Sequence, residues 1–197
     1  MNKKQKAILV MASRCLDYPT VELLNMKPDF QEIIENVFEG DKEIKEAFLP
    51  LFRFTIREIQ ELYVETFDLK SKINLYLTAH ELGDSNRRGA ALVKLQKMIN
   101  QAGFERNTDE LVDYIPMLLE FLTVAPKHEE LERLKRRLSV VLTYILENLN
   151  KNNPYAGIFK MLMKYVFTTP TAEEVKQLEL GREEADLEEL PYPIMYK

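Results

Sequence analysis

His128-Glu129-Glu130-Leu131-Glu132-Arg133-Leu134-Lys135-Arg136-Arg137-Leu138-Ser139-Val140-Val141-Leu142-Thr143-Tyr144-Ile145 is the stretch on which the fold class turns. Leu131, Leu134, Leu138, Leu142 and Ile145 recur every three or four residues, so at 3.6 residues per turn they line one side of a helix. Glu129 with Arg133, and Glu132 with Arg136, stand four residues apart on the other side, where unlike charges support a helix. The pattern predicts an amphipathic helix with its leucines in a core. The basic residues Arg133, Lys135, Arg136 and Arg137 alternate with glutamates, which reads as a solvated face.

The same period continues on either side. Ile8, Leu9, Ala12, Cys15 and Leu16 follow it, as do Phe30, Ile33, Ile34, Val37 and Phe38. β-Branched and aromatic residues never alternate long enough for a strand, and only 6 glycines leave few hairpin turns. The expected fold is therefore all-α: a single-domain, compact helical bundle of about nine helices with no sheet. Breaks are expected at Tyr18-Pro19, Lys27-Pro28, Gly40-Asp41, Phe67-Asp68, Gly83-Asp84, Gly103, Ala125-Pro126 and Asn152-Asn153-Pro154, with Pro50 splitting the piece that begins at Asp41. Thr108 is placed to cap a helix running from Asp109 to Leu122, which Pro116 would kink, freeing a carbonyl one turn back. Thr171 and Glu174 have capping-box spacing.

The 197 residues, 46% hydrophobic and 30% charged, suffice for one domain. We expect a helical body over residues 1–170 and an acidic, loosely held tail over 171–197 with one short helix. The tail holds 8 acids and 3 bases, which leaves 24 acids and 24 bases in the body from totals of 32 and 27. A neutral body gives no electrostatic footprint for nucleic acid. Met1-Asn2-Lys3-Lys4-Gln5-Lys6 and the apolar residues after it imitate a signal peptide, but Arg14 and Asp17 interrupt the apolar run. No apolar run approaches the ~20 residues that span a bilayer, so stable membrane insertion is not expected. The single cysteine, Cys15, excludes an intrachain disulfide and sits on an apolar stripe, which fits a reducing cytoplasm.

No residue pattern carries catalysis. His80-Glu81-Leu82-Gly83-Asp84 resembles a zinc helix only superficially, because Gly83 breaks the helix and aspartate replaces the second histidine. Phosphate loops, dinucleotide fingerprints and nucleophile elbows are missing from the sequence. We therefore expect no enzyme, no cofactor and no metal. Met98, Met117, Met161 and Met163 read as core filling.

Polar groups nevertheless gather at helix ends between Tyr63 and Phe121. Asp68 follows Phe67 at a break, where a carboxylate either caps the next helix or receives a cationic ligand, and both readings stand. Tyr63 and Phe67, at i and i+4, pack inward. Ser85 can cap the helix after the turn, and Arg88 and Asp113 read as a structural pair.

Tyr63-Val64-Glu65-Thr66-Phe67-Asp68, His80 followed by Gly83-Asp84-Ser85 and Arg87-Arg88-Gly89, Gln101-Ala102-Gly103-Phe104, and Glu110-Leu111-Val112-Asp113-Tyr114-Ile115-Pro116 leading into Leu119-Glu120-Phe121-Leu122 form one set. The set resembles the NarJ-type assembly chaperones of respiratory nitrate reductase, within the wider TorD/DmsD group of redox-enzyme maturation proteins. Weaker similarity runs from Ser13-Arg14 through Tyr18-Pro19 and beyond Tyr155. The chain departs where the family commonly has Pro-Asp-His and this sequence has Val112-Asp113-Tyr114, losing an imidazole but keeping an acceptor and a donor.

The resemblance implies a non-catalytic cytoplasmic chaperone. Its partner would be the N-terminal segment of the apo catalytic subunit of nitrate reductase, kept competent for molybdenum cofactor insertion before membrane anchoring. Molybdenum cofactor delivery proteins form a second partner class. The client-binding candidates are Tyr63, Phe67, Asp68, His80, Asp84, Arg87, Arg88, Asp113, Tyr114, Pro116, Glu120 and Phe121, with Asp68, Asp84, Asp113 and Glu120 drawing the basic residues of an amphipathic peptide. The alternatives are a chaperone for an S- or N-oxide reductase, or a helical scaffold or regulator.

Overall fold

Asn2 starts the first helix by accepting a hydrogen bond from the Gln5 N–H at 2.8 Å, while its own N–H donates to Gln5 Oε1 at 3.0 Å. That helix, α1 (Lys3–Leu16), buries Ile8, Leu9, Met11, Ala12, Cys15 and Leu16 completely. It makes the broadest helix–helix contact of the fold, against residues 115–124. The computed structural model describes residues 1–105, 110–178 and 180. After α1 come α2 (Val21–Asn25), α3 (Lys27–Phe38), α4 (Lys42–Phe48), α5 (Ile56–Tyr63), α6 (Leu77–Leu82), α7 (Arg87–Gln101), α8 (Ile115–Val124), α9 (Glu129–Asn148) and α10 (Ala156–Tyr165). Residues 172–178 are also helical. The described residues form no sheet, only one isolated antiparallel bridge between Tyr76 and Tyr114. The chain is thus an all-α domain, as its periodicity predicts.

The leucine stripe of α9 is buried as expected. Arg133 pairs with Glu129 at 2.6 Å, but Glu132 pairs with Lys135 rather than Arg136. Arg136 instead reaches across to Glu174, its Nε donating at 2.9 Å. The capping box at Thr171 forms, since Thr171 N–H donates to Glu174 Oε2 at 2.8 Å and Glu174 N–H donates to Thr171 Oγ1 at 3.3 Å. Val175 is buried beside it. Gly157 lets α10 lie on α4: a Cβ there would stand 2.8 Å from the Ala47 Cα.

Pro50 splits its segment as predicted, with α4 giving way to a 3₁₀ turn over Leu49–Arg53. Pro116 does not kink a helix. It occupies the first turn of α8, where no N–H is needed, and residues 110–114 before it are turn and extended chain. No carbonyl is freed by it. Thr108 and Asp109, expected to open that helix, lie outside the described residues. No helix among the described residues is long and apolar enough to cross a membrane.

Candidate functional site

α5 ends in a single π turn, Val64–Asp68, closed by Leu69 N–H donating to the Val64 carbonyl at 3.2 Å. A π turn interrupts the α ladder and re-aims side chains, and such turns recur at functional sites. Here Tyr63 and Phe67 point into the core against Tyr155, ring centroids 6.3 and 4.9 Å away, while Asp68 stays exposed at the end.

Next to this turn lies a cavity of about 230 Å³ lined by Tyr18, Tyr63, Phe67, Asp68, Leu75, Tyr76, Glu110 and Tyr114. Its walls are aromatic. Tyr18 meets Tyr63 edge-on at 5.4 Å, and Tyr76 lies 5.4 Å from Tyr114. Its rim is acidic, with Asp68 and Glu110 present and no cation in the lining among the described residues.

The hydroxyls are ordered by their acceptors. Tyr114 Oη donates to Asp17 Oδ1 at 3.0 Å, so its 2.9 Å bond with Tyr63 Oη requires Tyr63 to be the donor. Tyr76 Oη donates to Glu110 Oε2 at 2.9 Å. Burial, then this bond to Glu110, pushes the Tyr76 phenol up to about 12. Burial likewise holds the Tyr63 and Tyr114 phenols above their usual range. All three therefore stay protonated donors at neutral pH. The Asp68 carboxyl is raised above its ordinary value by partial burial first and by the charge of Glu110 second. A cation between the two carboxylates would relieve that repulsion.

Behind the cavity lies a buried polar node. Asp113 has no accessible surface; its Oδ2 accepts from the Thr78 N–H at 3.0 Å and from Thr78 Oγ1 at 2.5 Å, capping the start of α6 from a distant segment. Arg88 lies 3.6 Å from the same oxygen and donates through Nε to Thr78 Oγ1 at 3.1 Å. His80, also fully buried, has its Nε2 at 2.8 Å from the Asn74 carbonyl, which can only accept, so Nε2 carries the proton. Main-chain bonds from Leu77 N–H to the Asp113 carbonyl and from Ile115 N–H to the Leu75 carbonyl, at 3.0 and 2.8 Å, tie the node to the bridge that sets Tyr76 against Tyr114. The node thereby fixes one cavity wall.

Of the sequence candidates, Tyr63, Phe67, Asp68 and Tyr114 converge on the cavity, while His80, Arg88 and Asp113 form the node. His80 and Asp113 offer no surface to a peptide, and the Asp113 charge faces Arg88 rather than a visitor. The others lie apart. Asp84 is exposed in the turn before α7 and Arg87 is exposed at the first position of α7, where Ser85 Oγ accepts from the Arg87 N–H at 3.2 Å. Glu120 pairs with Arg14 at 3.0 Å, and Phe121 packs on Phe104 with Pro116 buried nearby on α8. Asp17, Tyr18, Tyr76 and Glu110 were not legible as site residues, because only the fold brings them together.

Among the described residues, then, an all-helical fold carries a side-chain-sized, acid-rimmed aromatic cavity. Residues 38–159 match the family model described as nitrate reductase delta subunit, and the chain belongs to that family. It is 30% identical over 185 residues to the probable nitrate reductase molybdenum cofactor assembly chaperone NarJ of Bacillus subtilis (strain 168), covering 89% of this chain and 97% of that one. It is also 30% identical over 173 residues to the nitrate reductase molybdenum cofactor assembly chaperone NarJ of Escherichia coli (strain K12), covering 86% of this chain and 73% of that one. To the probable assembly chaperone NarW of the same organism it is 25% identical over 181 residues.

Proposed function

We propose that this protein is an assembly chaperone of nitrate reductase that works by binding and performs no chemistry. Its client is the cofactor-free catalytic subunit, bound in the cytoplasm through its N-terminal segment and kept competent for molybdenum cofactor insertion. The observation that carries this reading is the similarity to NarJ chaperones over 97% of one relative and 73% of another, joined to a cavity suited to a basic side chain.

At about 230 Å³ the cavity is smaller than the ~300–1,000 Å³ of sites that engulf whole small molecules, so it suits one side chain of a longer ligand. Aromatic faces and two carboxylates favour lysine or arginine there, through cation–π contact and charge. Tyr63, Tyr76 and Tyr114 supply the walls, Asp68 and Glu110 the charge. His80, Arg88 and Asp113 act by position, holding Tyr76 against Tyr114. Such binding is reversible, so the client can be released once its cofactor is in place.

The test is a calorimetric titration of the full chain with a synthetic peptide of the catalytic subunit's N-terminal residues. Saturable binding is expected, weakened at least ~10-fold, equivalent to ~1.4 kcal/mol, by the exposed substitution Asp68→Lys. Equal affinities for the two proteins would remove the cavity from the site, and absence of any binding would remove the client.

A further inference from the structure

A second depression lies far from the tyrosine cavity in sequence and composition. α7 and α9 leave between them a groove of about 500 Å³ with Leu95 and Leu134 in its lining and four cations, Lys94, Lys97, Arg133 and Arg137, against one carboxylate, Glu130. Arg133 is engaged by Glu129 and Arg137 by Glu81, both at 2.6 Å. Lys94 and Lys97 have no carboxylate within ion-pair distance among the described residues. α7 itself packs chiefly on α6.

We infer that this groove is the seat of the chain's own acidic segment, Glu183-Glu184-Ala185-Asp186-Leu187-Glu188-Glu189-Leu190. Three observations point to that occupant. The charges are complementary: the segment brings five carboxylates to a surface that carries four cations and one carboxylate. The chain is delivered to the place, because residues 172–178 dock on α9 through Glu174 and Arg136, and Leu178 lines a shallow depression bounded by Arg137, which also borders the groove. The reach suffices as well. From Leu180, which is still helical, to Glu183 three residues extend up to ~10 Å, about the length of the lining from Glu130 to Arg137 along α9. Tethering gives an effective concentration on the order of millimolar, so individually weak surface ion pairs are enough to hold the segment.

The inference is independent of the client reading. It is tested on the full chain by zero-length carbodiimide cross-linking, which joins a lysine amine to a carboxylate in contact, with peptide mass spectrometry on an equal mixture of ¹⁴N and ¹⁵N protein. Expected are intramolecular links from Lys94 or Lys97 to Glu183, Glu184, Asp186, Glu188 or Glu189. Their yield should fall severalfold at about 0.5 M salt, where the Debye length is well below ~8 Å. Arg133→Glu, an exposed change that leaves both lysines in place, should lower it by a similar factor. No links, links only between differently labelled chains, or a yield indifferent to Arg133→Glu would each overturn the assignment.

Discussion

Asp113→Ala removes the acceptor that starts α6 and fixes a wall of the cavity. Two hydrogen bonds from Thr78 to a carboxylate are lost, each worth ~1.5–3 kcal/mol when the acceptor is charged. Arg88 also loses its counter-charge at 3.6 Å, and breaking a buried pair by deleting one partner costs ~3–5 kcal/mol. These figures overlap, since they describe the same node. The Arg88 side chain is 22% exposed and can turn part of its charge to water, which sets the expectation at the lower end, ~3 kcal/mol. For a domain of this size that is a fall in Tm of ~6–12 °C. Urea unfolding followed by circular dichroism measures it directly, and Asp113→Asn, which keeps one acceptor, should lose less. Replacing Arg88 by Met in the Asp113→Ala background should recover part of the loss, because no stranded cation remains. A loss below ~1 kcal/mol, or strict additivity of the two changes, would refute the node as the support of the cavity.

Other consequences follow from single contacts. Asp68 has a raised carboxyl, so its ionised form is disfavoured in the fold; stability from this group is present at low pH and lost as pH rises through the raised value. Asp68→Asn should therefore leave Tm unchanged or higher at pH 7 while weakening peptide binding, a split that thermal melts and calorimetry read separately. In the wild type, peptide affinity should begin to fall, as pH is lowered, at a higher pH than an ordinary aspartate would give. The Tyr155 hydroxyl is buried with no hydrogen-bond partner among the described residues, so Tyr155→Phe should be neutral or stabilising by up to ~1 kcal/mol in urea unfolding. Gly157→Ala sets a helix-propensity gain of up to ~1 kcal/mol against a Cβ placed 2.8 Å from the Ala47 Cα; the clash involves backbone, so net destabilisation of about 1–2 kcal/mol is expected.

Local signals carried most of the architecture. The α9 stripe, the breaks at Pro19, Gly40 and Gly83, and the split at Pro50 each follow from period or backbone chemistry within a few residues. Pro116 was misread because a proline in an apolar periodic run fits either a kink or a first turn; here Tyr114 ends the extended chain and Pro116, one residue beyond Ile115, falls in the first turn. Arg88 and Asp113 were legible as a pair, whereas Thr78 between them and the His80 bond to Asn74 were not, since neither residue type signals burial by itself. The π turn at Val64–Asp68 has no sequence signature. The cavity was half visible: Tyr63, Phe67 and Asp68 share one segment, but Tyr18, Tyr76 and Glu110 join them from three others, and one sequence holds no record of such long-range meetings.

The central claim meets its most direct test in cells from which the reading frame is deleted. The account predicts that the catalytic subunit of nitrate reductase is still made, but accumulates without molybdenum and without activity, and that the intact gene restores both. Purified subunit with full molybdenum content and normal nitrate reduction in the deleted strain would contradict it.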